Sequence, residues 1–168
     1  MANNEFIYTT YIRTTPEEVW RAITNPEFTR QYWVHENISD WKKGSKWQHV
    51  SGVDKHVMVG GQVLESIPPK RLVLTWADPQ DPSDDSRVTF EIDTVGGMVR
   101  LNVIHGNFKS DSTMASKVAM GWPLVLSSMK SFRFRLWDEN HKQLVSYRHL
   151  RKMRKQKVPS PRAESPRS

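Results

Sequence analysis

One stretch of this chain, residues 114–132, reads as a long helix, and the rest must fold around it. Apolar residues stand at Met114, Val118, Trp122, Val125, Met129 and Phe132. Steps of three and four put all six on one stripe of a helix. Asp111 or Ser112 can cap its start. Gly121 and Pro123 flank Trp122 in the middle, where Gly costs about 1 kcal/mol and Pro about 3 kcal/mol relative to Ala. Pro123 also lacks a backbone donor and crowds the carbonyl of Ala119, so a bend is expected there. Such a helix sets a large aromatic side chain at its bend, facing whatever covers the stripe.

What precedes it reads mainly as strands. Phe6 to Thr14 alternates with period two, with Tyr8, Thr10 and Ile12 on one face. Thr14 or Thr15 then caps a short helix that has Pro16 at its first position and Glu17 and Glu18 in its first turn. Asn25-Pro26 ends that helix and opens a second one through Phe28, Tyr32 and Trp33. Strands follow over 45–50, 57–66 and 71–76, with Gly60-Gly61 marking a bulge or a close backbone approach. Pro68-Pro69 forces a turn, and 78–85 reads as a polar loop. Val88, Phe90 and Ile92 alternate with polar residues, Gly96-Gly97 makes a hairpin, and Val99, Leu101, Val103 and His105 alternate again. The order is strand, two short helices, five strands, long helix. The fold class is therefore α+β: a curved antiparallel sheet of six strands with the long helix buried on its concave face.

Composition bounds the function. There is no cysteine, which excludes disulfides, thiolate metal sites and Cys catalysis. The first residues lack the basic and apolar regions of a secretory leader, and no run approaches the ~18 apolar residues of a membrane span. A cytoplasmic protein is the expectation. The net charge of +7 lies wholly in residues 148–168, which hold eight Lys/Arg and one Glu; the remaining chain is neutral, with 17 of each sign. A basic nucleic-acid-binding face on the folded part is thus excluded, although the tail can attract polyanions weakly. From 151 onward, charge, Pro and Ser predict disorder. This divides the chain into a folded domain at 1–137, an extension at 138–150 and a basic tail at 151–168.

Several segments, in order, resemble the START-like superfamily, most closely the branch named for the C-terminal domain of the activator of heat-shock-protein-90 ATPase. They are Thr15-Pro16-Glu17-Glu18-Val19-Trp20 through Asn25-Pro26-Glu27, then Tyr32-Trp33, and Gly60-Gly61-Gln62-Val63-Leu64-Glu65. Pro68-Pro69-Lys70-Arg71-Leu72, Thr75-Trp76, Leu101 to His105 and Gly121 to Lys130 complete the set. The resemblance spans about Phe6 to Phe134. It implies a helix-grip fold enclosing a hydrophobic cavity between sheet and helix, as in lipid carriers, hormone receptors and cyclases. The chain after the helix departs from the family pattern.

Inward positions then line such a cavity: Trp33, Trp47, Trp76, Phe90, Leu101, Val103, His105, Val118, Trp122, Val125 and Met129. His105 lies on the apolar face of its strand, where a lone histidine reads first as a satisfied core residue and second as a polar handle for a ligand; His49 is a further such handle on the same reasoning. Catalytic signatures are missing: there is no Gly-x-Ser-x-Gly elbow, phosphate-binding Gly loop or His-Glu-x-x-His. His35, His49, His56 and His105 follow no metal-ligand spacing. Asp78, Asp81, Asp84 and Asp85 lack the twelve-residue calcium pattern and read as a solvated hairpin loop. No cofactor or metal is expected. The expected partner is a small hydrophobic or amphipathic ligand. The alternatives are a chaperone-associated interaction module, and an enzyme of the cyclase or hydrolase kind using the same cavity.

Overall fold

The computed structural model describes residues 5–141, with side chains as far as Phe132. Residues 142–168, which include most of the expected extension and all of the basic tail, lie outside the described residues. A compact unit ends at Trp137; the sheet, the two short helices and the site belong to it. No described helix is long and apolar enough to cross a membrane.

The elements are β1 (Phe6–Ile12), α1 (Pro16–Thr24), α2 (Pro26–Trp33), β2 (His35–Ile38), β3 (Lys46–Ser51), β4 (Val57–Ile67), β5 (Arg71–Asp78), β6 (Asp81–Val95), β7 (Met98–Gly106) and α3 (Met114–His141). The strands form one sheet in the order β1-β7-β6-β5-β4-β3-β2, with every neighbouring pair antiparallel. The sheet is curled into a half-barrel around α3, an α+β helix-grip arrangement. It has seven strands, not six. The additional one, β2, is only four residues long and reads His35-Glu36-Asn37-Ile38, too short and too polar to carry an alternation signal.

Capping residues set the entry to the sheet. Thr15 Oγ1 accepts from Glu18 N at 3.3 Å and starts α1. Asn25 Oδ1 accepts from Glu27 N at 2.9 Å and starts α2. Val34 adopts a left-handed conformation (φ 67°) at the end of α2 and turns the chain directly into β2. The bent pair is tied down by polar groups reaching main-chain carbonyls. Tyr32 Oη donates to Ala22 O, Asn37 Nδ2 to Ile23 O and Trp41 Nε1 to Thr24 O, at 2.8–2.9 Å.

The inner face of the sheet follows the expected alternation. Leu72, Leu74, Val88, Phe90, Ile92, Val99, Leu101 and Val103 are all buried in one core, and Leu72–Phe90–Val103 run side by side across three strands. Gly60-Gly61 proves to be a close backbone approach: a Cβ on Gly61 would lie 2.2 Å from the Thr75 carbonyl oxygen. Trp47, paired with Gly61 across the strands, donates its indole N–H to that same oxygen at 2.8 Å.

The stripe on α3 is Met114, Val118, Trp122, Leu126, Met129 and Phe132, all buried. Leu126 takes the place expected for Val125, which is half-buried. The helix continues through Gly121-Trp122-Pro123. Its start uses the expected cap: Ser112 Oγ accepts from Met114 N at 3.1 Å. A second cap comes from the sheet. Asp84 Oδ2 accepts from Thr113 N at 3.0 Å, Thr113 Oγ1 at 3.2 Å and Met114 N at 3.2 Å. This corrects the expectation of a solvated Asp-rich loop. β6 begins at Asp81, only Pro79-Gln80 separate it from β5, and Asp84 is buried against the positive end of the helix dipole.

Asp84 therefore docks α3 on the sheet. Its carboxyl is held below the usual carboxylate range, first by the Ser112 hydroxyl and then by the Met114 and Thr113 donors. Asp84→Ala is expected to destabilise the fold by about 1–2 kcal/mol. Because the folded pKa is depressed, the contribution is present above about pH 4 and is lost as the pH falls below it. Urea denaturation of wild type and Asp84→Asn at pH 7 and pH 3 checks this; the gap between the two proteins should narrow at pH 3.

Candidate functional site

A pocket of about 320 Å³ lies between the first three turns of α3 and strands β3 to β5, with Trp33 and His35 from the junction of α2 and β2 also in its lining. Five of the eleven residues expected to line a cavity do so: Trp33, Trp76, Val118, Trp122 and Val125. The other six, Trp47, Phe90, Leu101, Val103, His105 and Met129, are buried in the core and are not part of the lining. The alternation placed them on the inner face correctly. However, the core is filled at the β6–β7 end of the sheet, and the free space lies toward β3 and β4.

The floor is aromatic. Ring centroids are 5.4 Å apart for Trp33–Trp122, 5.5 Å for Trp76–Trp122 and 6.4 Å for the nearly parallel Trp33–Trp76 pair. Trp47 backs Trp76 at 5.0 Å, and Phe90 meets Trp122 edge-on at 5.7 Å. At these separations the rings touch one another. Together they make one aromatic side of the pocket.

Beneath that floor runs a closed polar chain. Trp122 Nε1 donates to His105 Nδ1 at 3.0 Å. Since an indole N–H can only donate, Nδ1 is the acceptor and the ring proton sits on Nε2. Nε2 lies 2.9 Å from Ser86 Oγ, which donates to the Trp76 carbonyl at 3.1 Å. Both ring nitrogens are used, and burial pushes the His105 pKa down to about 3. His105 is thus a neutral structural histidine joining helix to sheet, and it offers no free polar atom to a ligand.

His49 is wired the opposite way. Asn37 spends its amide N–H on the Ile23 carbonyl, so its Oδ1, 2.7 Å from His49 Nδ1, must be the acceptor. The His49 proton therefore sits on Nδ1, and Nε2 keeps its lone pair. Burial, and secondarily the nearby His35, pushes the pKa down to about 3, so the ring stays neutral. Trp33 lies over this imidazole at 4.3 Å and His35 meets it edge-on at 4.9 Å. Two further wall atoms, Trp76 Nε1 and His35 Nδ1, are buried and have no hydrogen-bond partner among the described residues. Asp78 and the exposed Lys117 complete the lining with one charge of each sign.

His35, Met58, Val59, Asp78, Met114, Lys117 and Gly121 join the lining without having been assigned to it from the sequence. His35 and Asp78 sit at strand ends, where period-two reasoning gives no facing. Gly121 had a signal, its cost in mid-helix, that pointed to space. Among the described residues no three His, Cys, Asp or Glu side chains come together as a metal site.

Residues 13–133 match the family model described as Activator of Hsp90 ATPase homolog 1-like protein. No match is found among curated proteins. Among solved structures, protein MLL2253 from Mesorhizobium loti is 26% identical with a TM-score of 0.68, covering 78% of this chain and 97% of that one. PFC0360w, an HSP90 activator from Plasmodium falciparum, is 23% identical with a TM-score of 0.65, covering 76% and 94%. CalU16 from Micromonospora echinospora is 23% identical with a TM-score of 0.63, covering 76% and 73%.

The two histidines should be separable by NMR. His105 is expected as the Nε2–H tautomer and His49 as the Nδ1–H tautomer, with neither ring titrating above about pH 4. An imidazolium signal from either at pH 6 would contradict this network. Both pKa values lie below the unfolded value of about 6.5. The stability they contribute is therefore complete above that pH and falls toward pH 3, by at most about 1.4 kcal/mol per pH unit for each ring.

Proposed function

This chain belongs to the Activator of Hsp90 ATPase homolog 1-like family, and on that premise we propose that it binds a small, largely apolar ligand in the pocket under α3. The observation that carries the reading is a pocket of about 320 Å³ with a tryptophan-rich lining, one indole N–H of which is buried and has no partner among the described residues. Pockets of this kind, apolar with a few convergent polar groups, are how proteins hold small molecules. Apolar burial, at about 25 cal/mol per Å², supplies the affinity, and the polar wall atoms set the orientation. Among the described residues no nucleophile with an adjacent base lines the space. His49, kept neutral by burial, is a hydrogen-bond acceptor and a weak base, which favours binding over catalysis.

The chaperone reading draws on the family description and on two large apolar side chains, Met120 and Leu124, that stand 70% and 72% exposed on the outer side of α3. An Hsp90 ATPase assay with wild type and a Met120→Glu/Leu124→Glu double variant tests it. Stimulation by the wild type that the variant loses would support this role, and no stimulation by either protein would remove it.

Gly121 gives the ligand reading its sharpest test. A Cβ built there meets nothing within 4 Å, and the residue borders the pocket. Gly121→Ala should stabilise the helix by about 0.5–1 kcal/mol. Gly121→Leu should keep the fold, by circular dichroism and thermal melting, while filling the space. In a titration with small aromatic compounds, wild-type tryptophan fluorescence should change saturably, because Trp33, Trp76 and Trp122 border the site. The Leu variant should lose that response; equal responses from both proteins would place binding elsewhere.

A further inference from the structure

We propose that the pocket selects an uncharged aromatic molecule carrying a hydroxyl group, which His49 and Trp76 hold between them; this rests on the reading of the pocket as a ligand site. Among the uncommitted polar atoms of the lining residues are an acceptor on His49 and a donor on Trp76, beside His35 Nδ1, whose role its tautomer sets. His49 Nε2 has a lone pair because its Nδ1–H is committed to Asn37 Oδ1. Trp76, only 6% exposed, has an Nε1–H with no partner among the described residues. The two rings are 6.4 Å apart, centre to centre, and tilted by 32°, and both residues line the same pocket. A hydroxyl is the smallest neutral group that donates and accepts at once. It can give its proton to His49 and take the indole N–H of Trp76.

Charged ligands fit this wall poorly. A carboxylate can accept from Trp76 but has nothing to give His49. An ammonium group can donate to His49 but leaves the indole N–H unpaired. Either would be taken out of water beside a lining whose two charges are of opposite sign, Asp78 and the exposed Lys117. The hydrocarbon part of the ligand is constrained as well. The volume of about 320 Å³ is at the low end for ligand pockets, which suits one or two rings better than a long acyl chain. The tryptophan floor favours offset stacking with a planar ring.

Three probes sharing one ring system test this: 2-naphthol, 2-methoxynaphthalene and 2-naphthoate, each titrated calorimetrically into the full chain at pH 7. The indole N–H region of the ¹H–¹⁵N spectrum is followed in parallel, with the Trp76 signal identified by its loss in Trp76→Phe. 2-Naphthol should bind saturably and about tenfold or more tighter than either analogue, since each leaves a buried polar group unpaired. The Trp76 N–H signal should move with it. His49→Phe should abolish the preference over 2-methoxynaphthalene, and His49→Gln, which keeps an acceptor, should retain most of it. If 2-naphthol binds no tighter than its analogues, or the Trp76 signal stays still as it binds, the hydroxyl inference is overturned while ligand binding stands. If none of the three binds saturably, the inference falls together with the pocket reading, whatever the variants do.

Discussion

The hydrogen bond from Trp122 to His105 is the contact on which the arrangement of helix and sheet depends. A sheet curled this strongly has one concave face, and α3 has one apolar stripe to set in it. Apolar packing alone fixes neither the rotation nor the depth of the helix, because hydrophobic burial is non-directional. The indole N–H at 3.0 Å from Nδ1 supplies the missing direction. Its effect extends through Nε2 and Ser86 to the Trp76 carbonyl, so the helix, β7, β6 and β5 share one chain of donors and acceptors. Every member is satisfied, which is the condition under which a buried polar network strengthens a core. Asp84 performs the matching task at the helix start, holding the backbone of Thr113 and Met114. Two polar anchors, two turns apart, thus set the position of a surface that is otherwise apolar.

The pocket is a consequence of where those anchors lie. Both tie α3 to the β6–β7 side of the sheet, and on that side Phe90, Leu101 and Val103 fill the interior. On the β3 and β4 side the helix faces the pocket and its aromatic lining. Trp47 crosses Gly61 to reach the Thr75 carbonyl and backs Trp76 from behind. Trp33, delivered by the left-handed turn at Val34, closes the near side and rests on His49. Wide, stiff rings cover area without collapsing into each other as flexible side chains would. The space between them and the helix therefore persists as a cavity.

The sequence carried the layers of this fold but not the location of its free volume. Period-two alternation placed Leu101, Val103 and His105 inward correctly, because facing is decided by local geometry. Whether an inward residue borders the core or a cavity depends on how sheet curl and helix offset combine, which no strand encodes by itself. His105 illustrates the difference. Alone on an apolar face it reads as a satisfied core histidine or as a handle for a ligand, and only the fold shows that Trp122, seventeen residues away, takes that handle. His49 carries the same local signature but is bound through only one nitrogen, a distinction set by Asn37 on a strand too short to be read. Asp84 shows the opposite error. Surrounded by Asp, Ser and Pro, it has the composition of a loop, and only the tertiary position of the helix start gives it a buried role.

The Gly-Trp-Pro sequence in the middle of α3 now separates into parts with different physical effects. Trp122 faces down and anchors. Gly121 precedes it on the pocket side, where a Cβ would meet only open space. An alanine there would favour the helix by about 1 kcal/mol, and nothing in the packing forbids it. A core under selection for stability alone would gain from the replacement, whereas a pocket under selection for volume would not. The missing side chain is thus not required by packing against any neighbour. Pro123, partly buried one position after the anchor, leaves the Ala119 carbonyl without its usual helical donor. The helix is weakened within the stretch that borders the empty space, and it is held on either side of Pro123 by Asp84 and by the burial of Leu126 and Met129. A helix with that distribution of strength can yield locally without releasing its anchors.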